Sequence, residues 1–399
     1  MIRFFKDINK YIFVLVYVCL LFFAGFFFYE YGTSVGVVLT IILIMIRNKK
    51  WRFVNRRSLY VFLFCIGNLI VSDFYSATFN DIGIKMQVLV ANILFFFISF
   101  LISNSLDYRL YMKSFVTCVS LIALVSIIFF IIAKVDYSLV TKLPCVTNSS
   151  GRKGYYALFA IISDFRMAGG QRNQGIFWEP GAFQVILCLA YIFEIADNKK
   201  PRIWIQISLL VAMLTTVSTT GIIVAALLLT YSLSSKKGNI KLVRTLVMVI
   251  IMLVVAQFVL SNATGFLKYT LVDKIDMIRN YQIGVSTDAS TRVDSIVMPI
   301  LSFLESPLFG IGSGGLEKLV YVTCTPVNWF VQCGILFGVI IIRGIYLFFI
   351  KIINNKLNAV ILLLIFCFSM MTEAFETNVL ILSLVFWGYI VNSGGEENE

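Results

Sequence analysis

Apolar runs recur along the whole chain, separated by short polar or basic stretches. A bilayer-spanning helix needs roughly 20 predominantly apolar residues. In lipid only helices and closed barrels satisfy all their backbone hydrogen bonds. The alternating pattern of a membrane barrel is absent from the sequence. The pattern therefore predicts an all-α polytopic integral membrane protein with about 12 transmembrane helices. The spans fall roughly at 11–28, 34–46, 58–72, 86–103, 114–133, 181–196, 203–218, 220–235, 245–261, 326–350, 359–372 and 378–392. They form a single integrated membrane domain over 1–399, with two long loops at 134–180 and 262–325. The first run follows MIRFFKDINK, and no small-residue cleavage site comes after it, so it is read as a retained helix rather than a signal peptide. Around Ser218-Thr219-Thr220-Gly221 the apolar stretch is too long for one crossing and must reverse tightly or break.

Charge adds orientation to this picture. Charged residues make up 14% of the 399, against about 25% in soluble domains. The 33 Lys and Arg outnumber the 21 Asp and Glu, for a net charge of +12. Most of the basic residues fall in short segments on one side, at 47–57, 104–113, 197–202, 236–244 and 351–358. That asymmetry places these loops, and both termini, in the cytoplasm. The excess charge is thus spent on topology, and no nucleic-acid partner is expected. The chain has no histidine, and its eight cysteines show no C-x-x-C spacing, so neither a metal nor a cofactor is expected. The two long loops carry basic residues on the side where such residues are disfavoured. These are Lys134, Lys142, Arg152, Lys153, Arg166 and Arg172 in one, and Lys268, Lys274, Arg279, Arg292 and Lys318 in the other. They fit either an anionic ligand or a solvated surface facing phospholipid. The stretches YYALFAII and PILSFLESPLFGIG in these loops read as short amphipathic helices lying on the membrane face. Cys145 and Cys324 are the loop cysteines, either bridged or free.

Several short motifs stand out. In R-x-x-G-x-F-x-E-P-G, residues 172–181, Pro180 suits the first turn of a helix and Glu179 its N-cap. Arg172 and Glu179 either form that cap with a supporting pair, or act on a phosphorylated lipid, since the guanidinium fork matches phosphate. S-T-T-G at 218–221 suits close helix packing. In A-S-T-R-V-D-S, Arg292 and Asp294 fit a local ion pair. The glycines of S-P-L-F-G-I-G-S-G-G, 306–315, allow tight turns or close backbone approach, and their spacing fits no nucleotide fingerprint. In M-T-E-A-F-E-T-N, Glu373 and Glu376 are carboxylates at the end of a membrane helix. Arg343, two turns from a helix end, snorkels.

Taken in order, R-x-x-G-x-F-x-E-P-G before a helix, S-T-T-G between two helices, S-T-R followed by S-P-L-F-G-I-G, and P-V-N-W-F-V-Q-C-G-I-L-F-G at 326–338 resemble the O-antigen polymerase family (Wzy type). The likeness covers about residues 150–350, within a superfamily that includes O-antigen ligases. It implies an enzyme of the bacterial inner membrane, in lipopolysaccharide biosynthesis, that joins oligosaccharide units carried on undecaprenyl pyrophosphate at the periplasmic face. It implies that arginines of the long loops hold the anionic substrates, at Arg172 and Arg292, with Arg166 and Arg279 beside them. Asn328 and Gln174 are the corresponding sugar-binding candidates. The ligases carry a histidine just before that asparagine; here it is Val327, which favours a polymerase. The reaction has a sugar hydroxyl attack an anomeric carbon as pyrophosphate leaves. Arginine supplies the charge, and without histidine a carboxylate is the available base, either Glu179 or Glu373. Implied partners are the lipid-linked oligosaccharides, membrane lipids, a chain-length regulator and a flippase. The alternatives are a ligase, a capsule or exopolysaccharide polymerase, and, in another class, a lipid-linked oligosaccharide flippase.

Overall fold

The computed structural model describes residues 9–26, 32–47, 54–79, 83–147, 151–157, 159–164, 172–196, 202–234, 290–319 and 323–390, without the side chains of 290–296 and 317. Its helices, in chain order, are α1 (Lys10–Ala24), α2 (Thr33–Arg47), α3 (Arg56–Phe79), α4 (Met86–Ser105), α5 (Tyr108–Val135) and the single turn α6 (Tyr137–Val140). Three strands follow, β1 (Cys145–Thr147), β2 (Lys153–Ala157) and β3 (Ala160–Ser163). Then come α7 (Pro180–Ala196), α8 (Ile203–Thr215), α9 (Thr219–Ser234), α10 (Ser290–Glu305), α11 (Gly312–Lys318), α12 (Thr325–Ile353), α13 (Lys356–Ser369) and α14 (Val379–Tyr389). The protein is mostly helical, and α3, α4, α5 and α12 are long and apolar enough to cross a membrane. The other apolar helices are shorter. Eleven of the predicted segments fall on helices; the segment 245–261 lies outside the described residues.

Two expectations are corrected. The loop around YYALFAII does not form amphipathic helices. Its residues build an antiparallel sheet in the order β1-β2-β3, with Cys145 opposite Tyr155 and Tyr155 opposite Ile162. Paired aromatic and β-branched side chains favour a pleated, half-buried surface over a helix. The protein remains mostly helical, with this small sheet in the segment between α6 and α7. The supposed loop 104–113 also shrinks to a break at Leu106 and Asp107, because the Asp107 carboxylate accepts the Arg109 N–H at 2.7 Å and starts α5 at once.

The chain forms two compact units. The first comprises Met1–Phe23, Thr33–Ser114 and Asp294–Glu399. Its centre is α14, buried from Val379 to Trp387 and packed on α4 and α12. Trp387 lies 4.6 Å from the Tyr111 ring and 6.1 Å from Phe348. A Cβ on Gly388 would sit 2.0 Å from the Gly344 carbonyl oxygen, so only glycine lets these two helices approach so closely. Within α12, Gly334 adopts φ 83° and ψ 178° and breaks the helix. The segment 306–311 fills the break. Ile335 N–H donates to Pro307 O and Ile311 N–H to Val331 O, both at 2.9 Å. These bonds replace what the break removes, as a bilayer demands.

The second unit comprises Ala24–Gly32 and Phe115–Val293. Its centre is α7, buried from Gly181 to Ile195, against α8 and α9. At the far end of α7, Glu194 pairs with Arg202, and the Arg202 backbone N–H donates to the same carboxylate at 3.1 Å. A buried carboxylate is tolerated here because it is both paired and hydrogen-bonded.

Candidate functional site

In the second unit the loop 172–179 leads into α7 at Pro180, where a missing N–H costs nothing. The loop is held from three directions. Phe26 N–H donates to Ile176 O at 2.8 Å, and Ile161 N–H donates to Gly175 O at 2.6 Å. Asn173 N–H donates to Thr215 O at 3.0 Å. Gly175 has φ 59°, and a Cβ there would press on the Phe183 ring, so the turn requires glycine. The Asn173 amide anchors the loop. It donates to Ser126 Oγ at 3.1 Å and Thr215 Oγ1 at 2.9 Å and accepts from Gly175 N–H at 3.0 Å. Arg172 Nε donates to Thr216 O at 2.9 Å.

These contacts bring the R-x-x-G-x-F-x-E-P-G motif onto the α8–α9 turn that carries S-T-T-G. The helix is interrupted here, at Thr216–Ser218, where Val217 takes a positive φ of 49°. For a β-branched residue that conformation is strained, and such strain persists only where the surroundings impose it. Gly221 lies where a Cβ would approach Gln184 Cγ and Thr216 Oγ1 at 3.0 Å. The glycine of S-T-T-G therefore serves close packing. Glu179 is half-buried and accepts from Trp178 Nε1 at 3.3 Å, while its backbone oxygen accepts Phe183 N–H. Gln174, proposed for sugar binding, is buried and donates to Phe177 O at 3.1 Å within its own turn.

In the first unit, M-T-E-A-F-E-T-N folds onto the start of α12. Glu373 follows a 3-10 turn at Met370–Thr372 and is extended and buried, so it does not simply end a helix. Its backbone oxygen accepts the Thr325 hydroxyl at 2.5 Å and the Thr325 N–H at 3.2 Å. The Glu376 carboxylate faces Asn328, whose Nδ2 donates to it at 3.5 Å. Trp329 Nε1 donates to Glu376 O at 3.0 Å. Asn328 is fully buried, and its Oδ1 has no hydrogen-bond partner. Burial pushes the Glu376 carboxyl above the usual range, and the Asn328 contact lowers it less. A carboxyl raised in this way holds or takes a proton closer to neutrality.

Arg292 falls in the first turn of α10, with its side chain outside the description; Arg166 and Arg279 lie outside the described residues. Cys145 is exposed, Cys324 is buried, and both are free. Two groups escaped sequence reading. Asn173 carries no chemical signature of its own. Asp73, 3% exposed, sits in α3 beside Ser72 and Ser76. Its signal was present, since it is the lone acid of its apolar run.

Comparison of the chain with family models and with curated proteins finds no match. The fold and the site together define a mostly helical protein with apolar helices fit for a membrane, in which the polar loop 172–179 is locked onto the α8–α9 turn.

Proposed function

We propose that the protein is a polysaccharide polymerase, acting on oligosaccharide units linked to undecaprenyl pyrophosphate. In this reading it spans the bacterial inner membrane with about 12 helices, both termini in the cytoplasm and the motif loops in the periplasm. The particular activity proposed is O-antigen polymerisation in lipopolysaccharide synthesis, without metal. One observation carries the proposal: the Arg172 loop and the S-T-T-G turn, far apart in sequence, meet through Arg172 Nε and Thr216 O and through Asn173 and Thr215. Arg172 is thereby fixed on the α8–α9 turn, in the loop that leads into α7. Arg172 and Arg292 serve the pyrophosphate. Glu376, which Asn328 contacts and burial raises, joins Glu179 and Glu373 as a candidate carboxylate for the attacking hydroxyl. Direct displacement then inverts the anomeric centre. The test is a deletion strain: loss of the gene leaves lipopolysaccharide with a single repeat unit, and the wild-type chain restores the ladder. A deletion strain with a normal ladder ends the proposal.

The break in α12, filled by 306–311, favours one competing reading, since discontinuous helices commonly line transport sites. If the protein is the flippase, the same deletion yields no repeat unit on the outer core and accumulates lipid-linked units at the cytoplasmic face.

A further inference from the structure

The buried Asp73 carboxylate has no role in the proposed chemistry. It lies in α3, a helix long and apolar enough to cross a membrane. It faces the place where 306–312 meets the break in α12. Its Oδ1 accepts the Ser313 N–H at 2.5 Å. Its Oδ2 is sealed from solvent and has no hydrogen-bond partner, and Asp73 forms no ion pair among the described residues. The surroundings are rich in oxygen. Ser72 Oγ donates to the Gln332 carbonyl at 2.5 Å, and Ser76 Oγ donates to the Ile311 carbonyl at 2.6 Å. Ser313 Oγ accepts from Asn92 Nδ2 at 3.1 Å and from Gln332 Nε2 at 2.9 Å. The backbone at Gly312 approaches the carboxylate closely: a Cβ there would stand 2.6 Å from Asp73 Oδ1.

An ionised carboxylate in such a place is expensive unless a positive charge compensates it. Holding the Ser313 N–H accounts for one oxygen only, and a neutral amide would do that without the charge. Carboxylate, hydroxyl and carbonyl oxygens are the ligands that hard cations take. Carbonyls freed at a helix break hold alkali cations in membrane proteins. A single buried negative charge is neutralised by one positive charge, whereas a divalent ion would leave a net charge behind. We propose that Asp73, with the oxygens of Ser72, Ser76 and Ser313 and the carbonyls of Ile311 and Gln332, forms a site for one dehydrated monovalent alkali cation that pins segment 306–312 to α3 and α12. The site depends on neither reading of the protein's activity.

The experiment uses the full chain purified in detergent. Thermal unfolding is followed in sodium, lithium or potassium chloride against choline chloride, at constant ionic strength and pH. The expected result is a saturable rise in Tm with one small alkali cation for the wild type. Asp73→Asn keeps the Ser313 hydrogen bond and should abolish that rise without lowering Tm in choline. Retention of radioactive sodium by the wild-type protein, displaced by unlabelled cation, provides a measurement that needs no variant. Equal Tm values in all four salts with no sodium retained overturn the proposal. So does a cation effect that persists in Asp73→Asn, or a stability that follows pH alone, which would mean that a proton occupies Oδ2.

Discussion

Replacing Gly334 with alanine is the sharpest test of the broken helix. The residue has φ 83° and ψ 178°, a region essentially restricted to glycine and costing about 1–3 kcal/mol for other residues. A Cβ would also lie 2.0 Å from the Leu308 carbonyl oxygen and 2.4 Å from its carbon. Both are backbone atoms, so the relief must come from moving segment 306–311. Overpacking of this kind costs about 1–3 kcal/mol. Movement also endangers the Ile335-to-Pro307 and Ile311-to-Val331 bonds, each worth about 1 kcal/mol. The expected loss is about 3–6 kcal/mol, a large part of a typical stability of about 5–15 kcal/mol. The control is Gly67→Ala. Gly67 is an exposed residue inside α3 with nothing within 4 Å of its would-be Cβ. That change should be neutral or stabilise by up to about 1 kcal/mol. Both variants are purified and unfolded by heat, with tryptophan fluorescence as the signal. Equal melting of Gly334→Ala and wild type would refute the argument that the segment is locked into the break.

Four further outcomes follow from the site geometry. Arg172→Ala should shorten or abolish the polysaccharide ladder at normal protein levels, and Arg172→Lys should recover only part of it, because lysine lacks the guanidinium fork. Asn173→Ala removes three hydrogen bonds and should cost about 2–4 kcal/mol, read as lower Tm and lower accumulation. Val217→Gly relieves the positive φ and should raise Tm by an amount corresponding to about 1 kcal/mol. Glu376 holds its proton to higher pH in the folded state than in the unfolded chain, so its contribution is complete in acid and lost as pH rises through the raised value. A Tm–pH profile should therefore fall on that limb for wild type and flatten for Glu376→Gln.

Hydropathy located the helices because each needs one long apolar run, and Pro180 marked the start of α7 for a local steric reason. It ended α3 too early, near Ser72. The helix runs on to Phe79, where Ser72, Ser76 and one Asp73 oxygen bond residues more than two hundred positions away. No local pattern carries that information. The sheet was missed because its apolar residues form one run, and the reversal between β2 and β3 converts that run into two paired strands. The break at Gly334 was invisible for a similar reason: a glycine in an apolar stretch does not announce its φ. At the site, the motifs were legible as residue types, but their pairing was not. Arg172 reaching Thr216 and Glu376 reaching Asn328 are properties of the packing.

The two units interleave along the chain, and this constrains how the protein is made. The chain leaves the first unit after Phe23, returns at Thr33, leaves again after Ser114 and comes back only at Asp294. Gly25, synthesised early, pairs with Phe177 only after about 150 more residues have emerged. During elongation the ribosome therefore delivers a half-finished pair of units whose first bridge partner must wait for its mate. Cutting the gene at any one point yields fragments that each lack a piece of a unit. Co-expressed halves can restore the protein only by finding each other before proteases find them.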